Sequence, residues 1–232
     1  MKTLKLTITI TAIMMLFASS AMAMIQGSMH DFGTVTGNGL GLNPATAQFE
    51  ICIACHTPHN AMDPALGDPV DEAPLWNHDI TAVPAGAGYT IYTGPSGTMQ
   101  AVTGQPTGVS LLCLSCHDGT VNIDAFGGGA NATPIGAVPG NFGTGLDNDH
   151  PISFVWTDAI SGLDGELYLP ETDLGPGGVL TIEEEMLFGV NGARSLECAS
   201  CHDVHDTAST GNFYMLLVDN ADSALCLTCH NK

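Results

Sequence analysis

Apolar residues form one long run near the start of the chain and only short segments after it. Leu6–Ala18 (LTITITAIMMLFA) follows two lysines and is succeeded by small residues that end in Ala21-Met22-Ala23. A positive start, a short apolar run and an A-x-A ending are typical of a secretory signal peptide, whereas a membrane anchor would need about 20 apolar residues. The sequence therefore predicts a signal peptide over residues 1–23 and an exported mature chain over 24–232, which has no membrane span.

Beyond this run, the polar and apolar positions predict short elements, and no long amphipathic helix is evident. The expected elements are helical turns capped at Thr46, Ser195 and Asp222, a capping-box helix from Thr181 to Gly189, and strands near Tyr89–Tyr92 and Ile152–Trp156. With 28 glycines and 13 prolines among 232 residues, turns should dominate. The predicted fold class is mostly irregular coil with short helices and few short strands, and a large apolar cofactor would supply much of its core.

The cysteines follow one repeated pattern. All 8 fall into four pairs with two residues between them, and a histidine follows every pair. The pairs are Cys52/Cys55, Cys113/Cys116, Cys198/Cys201 and Cys226/Cys229, and the histidines are His56, His117, His202 and His230. Cys-x-x-Cys-His is the attachment motif of c-type haem, in which two thiols bind the haem vinyl groups and the histidine is the proximal iron ligand. The sequence predicts four covalently attached haem c groups on one domain, residues 24–232.

Three other uses of paired cysteines explain the pattern less well. A disulfide framework suits an exported chain, and zinc sites use paired Cys-x-x-Cys, but neither requires a histidine after every pair. Thioredoxin-like redox pairs need a βαβ setting that this sequence lacks. Histidine is 9 of 232 residues, so four such histidines by chance have a probability of the order of 10⁻⁶.

The remaining histidines are candidates for the second axial ligand of each iron. They are His30, His59, His78, His150 and His205, of which four are needed for bis-histidine ligation and one is spare. Methionine is the other common distal ligand and raises the reduction potential, but the histidine supply makes it unnecessary. His59 and His205 each lie three residues after a proximal histidine, so we expect them to ligate a neighbouring haem. His30, near the mature N-terminus, is the most free to reach another subunit.

Several stretches together resemble the doubled-motif multihaem cytochromes of metal-respiring bacteria. The stretches are residues 30–32 (HDF), 52–61 (CIACHTPHNA), 74–78 (PLWNH), 113–120 (CLSCHDGT), 148–154 (NDHPISF), 198–205 (CASCHDVH) and 226–232 (CLTCHNK). Length and motif number are similar to the outer-surface tetrahaem cytochromes that polymerise into extracellular filaments, the cytochrome nanowires. This resemblance implies a continuous stack of bis-histidine haems and one axial histidine donated across each subunit contact.

The expected function is electron transfer rather than catalysis. Bis-histidine ligation favours a low potential and leaves no open iron position, so we expect no enzyme activity. The leading hypothesis is a filament subunit at the outer cell surface, with other copies of itself, redox partner cytochromes and extracellular acceptors such as metal oxides as partners. A soluble periplasmic electron shuttle is the alternative, and a multihaem reductase is a weaker one.

The charge balance limits the partners further. The formal net charge is −20, and after the signal peptide only Arg194 and Lys232 are basic. Such a surface repels nucleic acid and anionic lipid and attracts cationic partners. Nucleic-acid binding is therefore excluded among the expected functions.

Overall fold

The computed structural model describes residues 25, 28, 30–32, 51–62, 70, 73, 75–83, 88–94, 99–127, 129, 131–205 and 214–232. The predicted signal peptide over residues 1–23 and the predicted turn that begins at Thr46 lie outside the described residues.

Regular elements are short, and coil makes up most of the described chain, which confirms the predicted fold class. In chain order the elements are β1 (Thr90–Ile91), α1 (Gly108–His117), β2 (Gly145–Leu146), β3 (Phe154–Val155), α2 (Asp158–Asp164), α3 (Ile182–Met186), β4 (Ser195–Leu196), two 3₁₀ turns (Cys198–Ser200 and Ala221–Ser223) and α4 (Ala224–Cys229). β1 pairs with β2 in parallel, and β3 pairs with β4 antiparallel. Among the described helices, none has the length and apolarity needed to cross a membrane.

The capping-box helix forms as the sequence predicts. The Thr181 hydroxyl accepts the backbone N–H of Glu184, and the Glu184 carboxylate accepts that of Thr181. The helix ends at Met186 rather than at Gly189, because Leu187 is already extended and Phe188 pairs with Ser195 in an antiparallel bridge. β1 and β3 likewise lie within the two predicted strand segments.

The predicted caps of the last two motifs are wrong. Ser195 lies in β4, paired with Val155, so the chain is still extended there, and Glu197 caps the 3₁₀ turn instead. Before α4, Asp222 and Ser223 have left-handed φ angles of 54° and 65° rather than the extended conformation of a capping residue. Tertiary pairing and local turns therefore override the capping pattern at both places.

The largest hydrophobic cluster lies in the second half of the chain. Its buried members are Phe154, Trp156, Ile182, Met186, Leu187 and Leu196. The Trp156 indole N–H donates to the Ser161 hydroxyl at 2.7 Å, and that hydroxyl donates to the Tyr168 carbonyl at 2.7 Å. Two smaller clusters form around Phe126 and around Tyr89.

The two basic residues that follow the predicted signal peptide are both held within the chain. Arg194 donates from its guanidinium to the Glu183 carbonyl at 2.9 Å and to the side chain of Asn191. The Lys232 ammonium lies 2.6 Å from the Glu166 carboxylate, and both side chains are exposed.

Candidate haem-binding sites

Each Cys-x-x-Cys-His segment forms a helical turn. In the first, third and fourth motifs the histidine N–H donates to the carbonyl of the first cysteine, at 2.8, 3.1 and 2.9 Å. The second motif occupies the last residues of α1. Residues three and four apart share a helix face, so both thiols and the imidazole of a motif lie on one side of its turn. This arrangement suits two thioether bonds and one iron ligand.

The thiols of successive motifs are neighbours, and all 8 cysteines are free. Burial and then the nearby Cys55 raise the pKa of the Cys116 thiol to about 12. A hydrogen bond between the Cys113 and Cys198 thiols raises the pKa of Cys113 and lowers that of Cys198. Burial and then Cys201 raise the pKa of Cys229 to about 12. The thiols of successive motifs therefore lie close enough to interact electrostatically in chain order, first to second to third to fourth.

A buried polar network joins the second motif to the third. The Glu197 carboxylate accepts hydrogen bonds from the hydroxyls of Ser110, at the start of α1, and of Ser153. Ser110 Oγ in turn accepts the Cys198 N–H at 3.0 Å, and Ser200 Oγ accepts the Glu197 N–H at 2.9 Å. Ser110 and Ser200 are 0% exposed and Glu197 is 2% exposed. We call these five residues the polar junction.

The first motif is held mainly by backbone contacts to residues 75–77. Thr57 N–H donates to the Leu75 carbonyl, and Asn77 N–H donates to the Cys55 carbonyl, both at 2.9 Å. The small cluster of Phe32, Ala54 and Phe126 packs beneath it. Cys52 is exposed.

Three proximal histidines lie against a second histidine. The His56 and His205 rings are nearly parallel, at 14°, with centroids 6.1 Å apart, while His117 lies 5.8 Å from His30 and His230 lies 6.5 Å from His150. Two imidazoles on opposite sides of one metal ion, each at a metal–nitrogen distance of about 2 Å, have ring centres roughly 6 Å apart. All three separations match that spacing.

The remaining proximal histidine and two of the predicted distal histidines have other surroundings. His59 is exposed, and its backbone N–H donates to the Thr57 hydroxyl. His78 is 4% exposed, with Nδ1 2.7 Å from the Asp79 carbonyl and Nε2 2.9 Å from the Asn122 carbonyl. Within the described part of the chain, the His202 ring has no histidine partner of this kind.

Backbone carbonyl oxygens orient several of these rings through Nδ1. His117 Nδ1 lies 2.6 Å from the Gly140 carbonyl, His202 Nδ1 2.8 Å from the Tyr214 carbonyl, and His150 Nδ1 2.9 Å from the Pro151 carbonyl. A proton held on Nδ1 leaves Nε2 as the nitrogen that can bind a metal. Every residue has a carbonyl oxygen, so the sequence contained no signal for these acceptors.

Burial keeps the inner histidines neutral. It is the main cause that lowers the pKa of His30 to about 4, and it also lowers the pKa of His117 and of His230. A neutral imidazole is the form that coordinates iron. Paired imidazoles beside paired free thiols fit haem c.

The comparison with protein families agrees with this geometry. The Doubled CXXCH motif family matches residues 191–232, which contain the third and fourth motifs. This match supports a multihaem c-type cytochrome. The motifs imply covalently bound haem c, and cytochromes of this kind are generally electron carriers and typically extracytoplasmic. No curated protein matches the chain.

Proposed function

We propose that the chain carries four haem c groups, one on each motif, and passes electrons along them. The observation that carries this proposal is the three histidine pairs with ring centroids 5.8 to 6.5 Å apart, each of which contains the histidine of a different motif. A haem on the first motif would be held by His56 with His205, one on the second by His117 with His30, and one on the fourth by His230 with His150. His202 would hold the third haem, with His59 or His78 as the second ligand.

Contacts between successive motifs support an electron path in chain order. The thiol neighbours Cys55 and Cys116, and then Cys113 and Cys198, bring the first three haem attachments together. Cys201 and Cys229 join the fourth. A bound haem c supplies a one-electron iron couple. Two histidine ligands on each iron would favour a low potential and leave no position for a substrate.

The two ends of this series lie near the surface, which suits a subunit of an extracellular conductive filament. Cys52 of the first motif and Cys226 of the fourth are exposed, as are His59 and His150. Haems bound there would lie within reach of another copy, of a partner cytochrome or of an extracellular acceptor such as a metal oxide. If His78 is not the second ligand of the third haem, the exposed His59 is within reach of the third haem of a neighbouring copy. The proposed location is the outer cell surface.

The haem count and ligation are tested on the native, fully loaded protein. We expect a mass equal to the mature chain plus four haems, and wholly low-spin iron that does not bind carbon monoxide after reduction. His205→Ala should convert one haem to a high-spin, carbon-monoxide-binding form, whereas Val204→Ala on the same loop should change none. Fewer than four haems, or an open iron in the native protein, would contradict the proposal and favour a reductase.

The filament is tested separately from the haems. Cryo-electron microscopy of secreted material should show polymers in which haems continue across the subunit contact. Analytical ultracentrifugation that finds only a monomer, with all four irons fully ligated, would support a soluble periplasmic shuttle instead.

A further inference from the structure

Met215 lies beside a histidine that we assign to the second haem. Its thioether sulfur is 3.1 Å from His30 Nδ1, and its side chain is only 6% exposed. The His30 ring is 5.8 Å from that of His117. A sulfur against Nδ1 leaves Nε2 of His30 to face the iron.

This contact differs in kind from those of His117, His150 and His202. A histidine that binds iron through Nε2 carries its proton on Nδ1 and donates it to a neighbour. For His117, His150 and His202 that neighbour is a backbone carbonyl oxygen. A thioether is a weak acceptor, so His30 gains less negative character and donates less electron density to ferric iron. Weaker donation stabilises the reduced iron and raises its potential.

The backbone fixes Met215 in this position at some cost. Its φ is +52°, in the left-handed region that costs a residue with a side chain free energy. The Asp203 N–H donates to the Met215 carbonyl at 2.8 Å, and the Leu217 N–H donates to the Cys201 carbonyl at 2.9 Å. The peptide of the third motif therefore holds the sulfur against a ligand of the second.

We propose that Met215 is a positioning residue for the second haem. Its thioether accepts a hydrogen bond from His30 Nδ1 and raises the reduction potential of that haem above those of its neighbours. The inference rests on the proposed bis-histidine haems. An electron in a partly reduced chain would then reside preferentially on the second haem, and the packing of the third motif would control how strongly.

The test compares two substitutions in the fully loaded protein. Met215→Gln places a strong amide oxygen acceptor at similar reach, so we expect the midpoint potential of one haem to shift downward and its electron paramagnetic resonance g values to change. Met215→Leu keeps the bulk without an acceptor, and we expect no downward shift. Met99→Gln, on a partly buried methionine that packs against the cluster around Trp156, is the matched control and should leave all four potentials unchanged.

Each outcome decides one question. Unchanged potentials and g values in Met215→Gln, with four low-spin haems retained, would overturn the role of Met215 and leave the proposed function intact. A near-infrared thioether-to-iron absorption band in the unmodified protein would also overturn it, because Met215 would then bind iron itself. A wild-type protein with fewer than four haems would instead contradict the proposed function.

Discussion

The first motif and the polar junction hold haem-attachment peptides in opposite ways. At the junction, the second and third motifs meet through the carboxylate of Glu197 and the hydroxyls of Ser110, Ser153 and Ser200, of which only Ser153 is partly exposed. The first motif has a few backbone hydrogen bonds, a small apolar cluster and an exposed Cys52. The second and third motifs are thus held together by protein hydrogen bonds, while the position of the first motif depends more on the haem that it would bind.

The two regions should therefore differ in how much their stability depends on bound haem. Buried hydrogen bonds resist local opening, because each group left without its partner costs about 1–3 kcal/mol. Segments with few buried contacts open first. We therefore expect the polar junction to be the last part of the chain to lose its structure and the first motif to be among the earliest.

Removal of all haem should have the largest effect. We expect a variant with serine at all 8 cysteine positions to be unfolded, because the four proposed haems would supply much of the apolar interior. Circular dichroism and protease sensitivity measure this. The paired change Cys52→Ser with Cys55→Ser should keep three haems and lose amide-exchange protection only around residues 51–62 and 75–83. An apo-protein with a native-like spectrum would contradict the prediction.

Loss of the Glu197 carboxylate should have the second-largest effect on stability. Glu197→Ala leaves two buried hydroxyls without their acceptor and should lower the free energy of unfolding by roughly 2–5 kcal/mol. Urea unfolding of the loaded protein measures the change. Glu197→Gln retains one oxygen acceptor and should cost less. Glu166→Ala removes an exposed carboxylate paired with Lys232 and should leave the free energy of unfolding nearly unchanged, because water screens the pair. Equal losses of unfolding free energy for Glu197→Ala and Glu166→Ala would show that the junction carboxylate contributes no more than an exposed one.

Two phenylalanines of similar exposure test how firmly the first motif is packed relative to the large cluster. Phe154 is 8% exposed in the large cluster around Trp156, and Phe126 is 7% exposed in the small cluster beneath the first motif. Phe154→Ala should cost about 3–5 kcal/mol, and Phe126→Ala about half as much, because fewer buried neighbours lose contacts. The measurement is again urea unfolding. A larger loss at Phe126 would show that the first motif is packed more firmly than its contacts indicate.

Apart from the control substitutions, the smallest loss of stability should come from the cap of α3. Thr181→Ala removes the acceptor for the Glu184 N–H and should cost about 1 kcal/mol. Thr181→Ser keeps the hydroxyl and is the control. Since α3 is remote in sequence from the first motif, exchange protection there should be unchanged. A loss of protection at the first motif would indicate long-range coupling.

The sequence predicted the local features of the sites because these depend on spacing. Cysteines and a histidine at positions one, four and five fall on one face of a turn, and the capping box of α3 is a four-residue pattern. The helix α1 was not predicted. Its buried positions include Ser110 and Ser115 as well as Leu112 and Leu114, so polar and apolar residues do not separate into two faces.

Long-range partners were beyond the sequence for a different reason. His56 and His205 are far apart along the chain, and their stacking depends on how the coil between the motifs folds. The five candidate distal histidines limited the possible ligand pairs without determining which histidine pairs with which. Met215 was set aside because histidines sufficed as ligands. Its contact with His30 depends on a left-handed backbone conformation at Met215, which no sequence pattern predicts.

The internal pairing of Arg194 and Lys232 has a consequence for ionic strength. Each basic side chain in the described part of the chain is already bound to groups of its own subunit, while the formal net charge is −20. Two copies in dilute buffer therefore repel each other over distances that salt shortens to about 8 Å at physiological concentration. Self-association should strengthen as salt or divalent cations are added, so dialysis into water is a mild means of separating the copies without touching the haems.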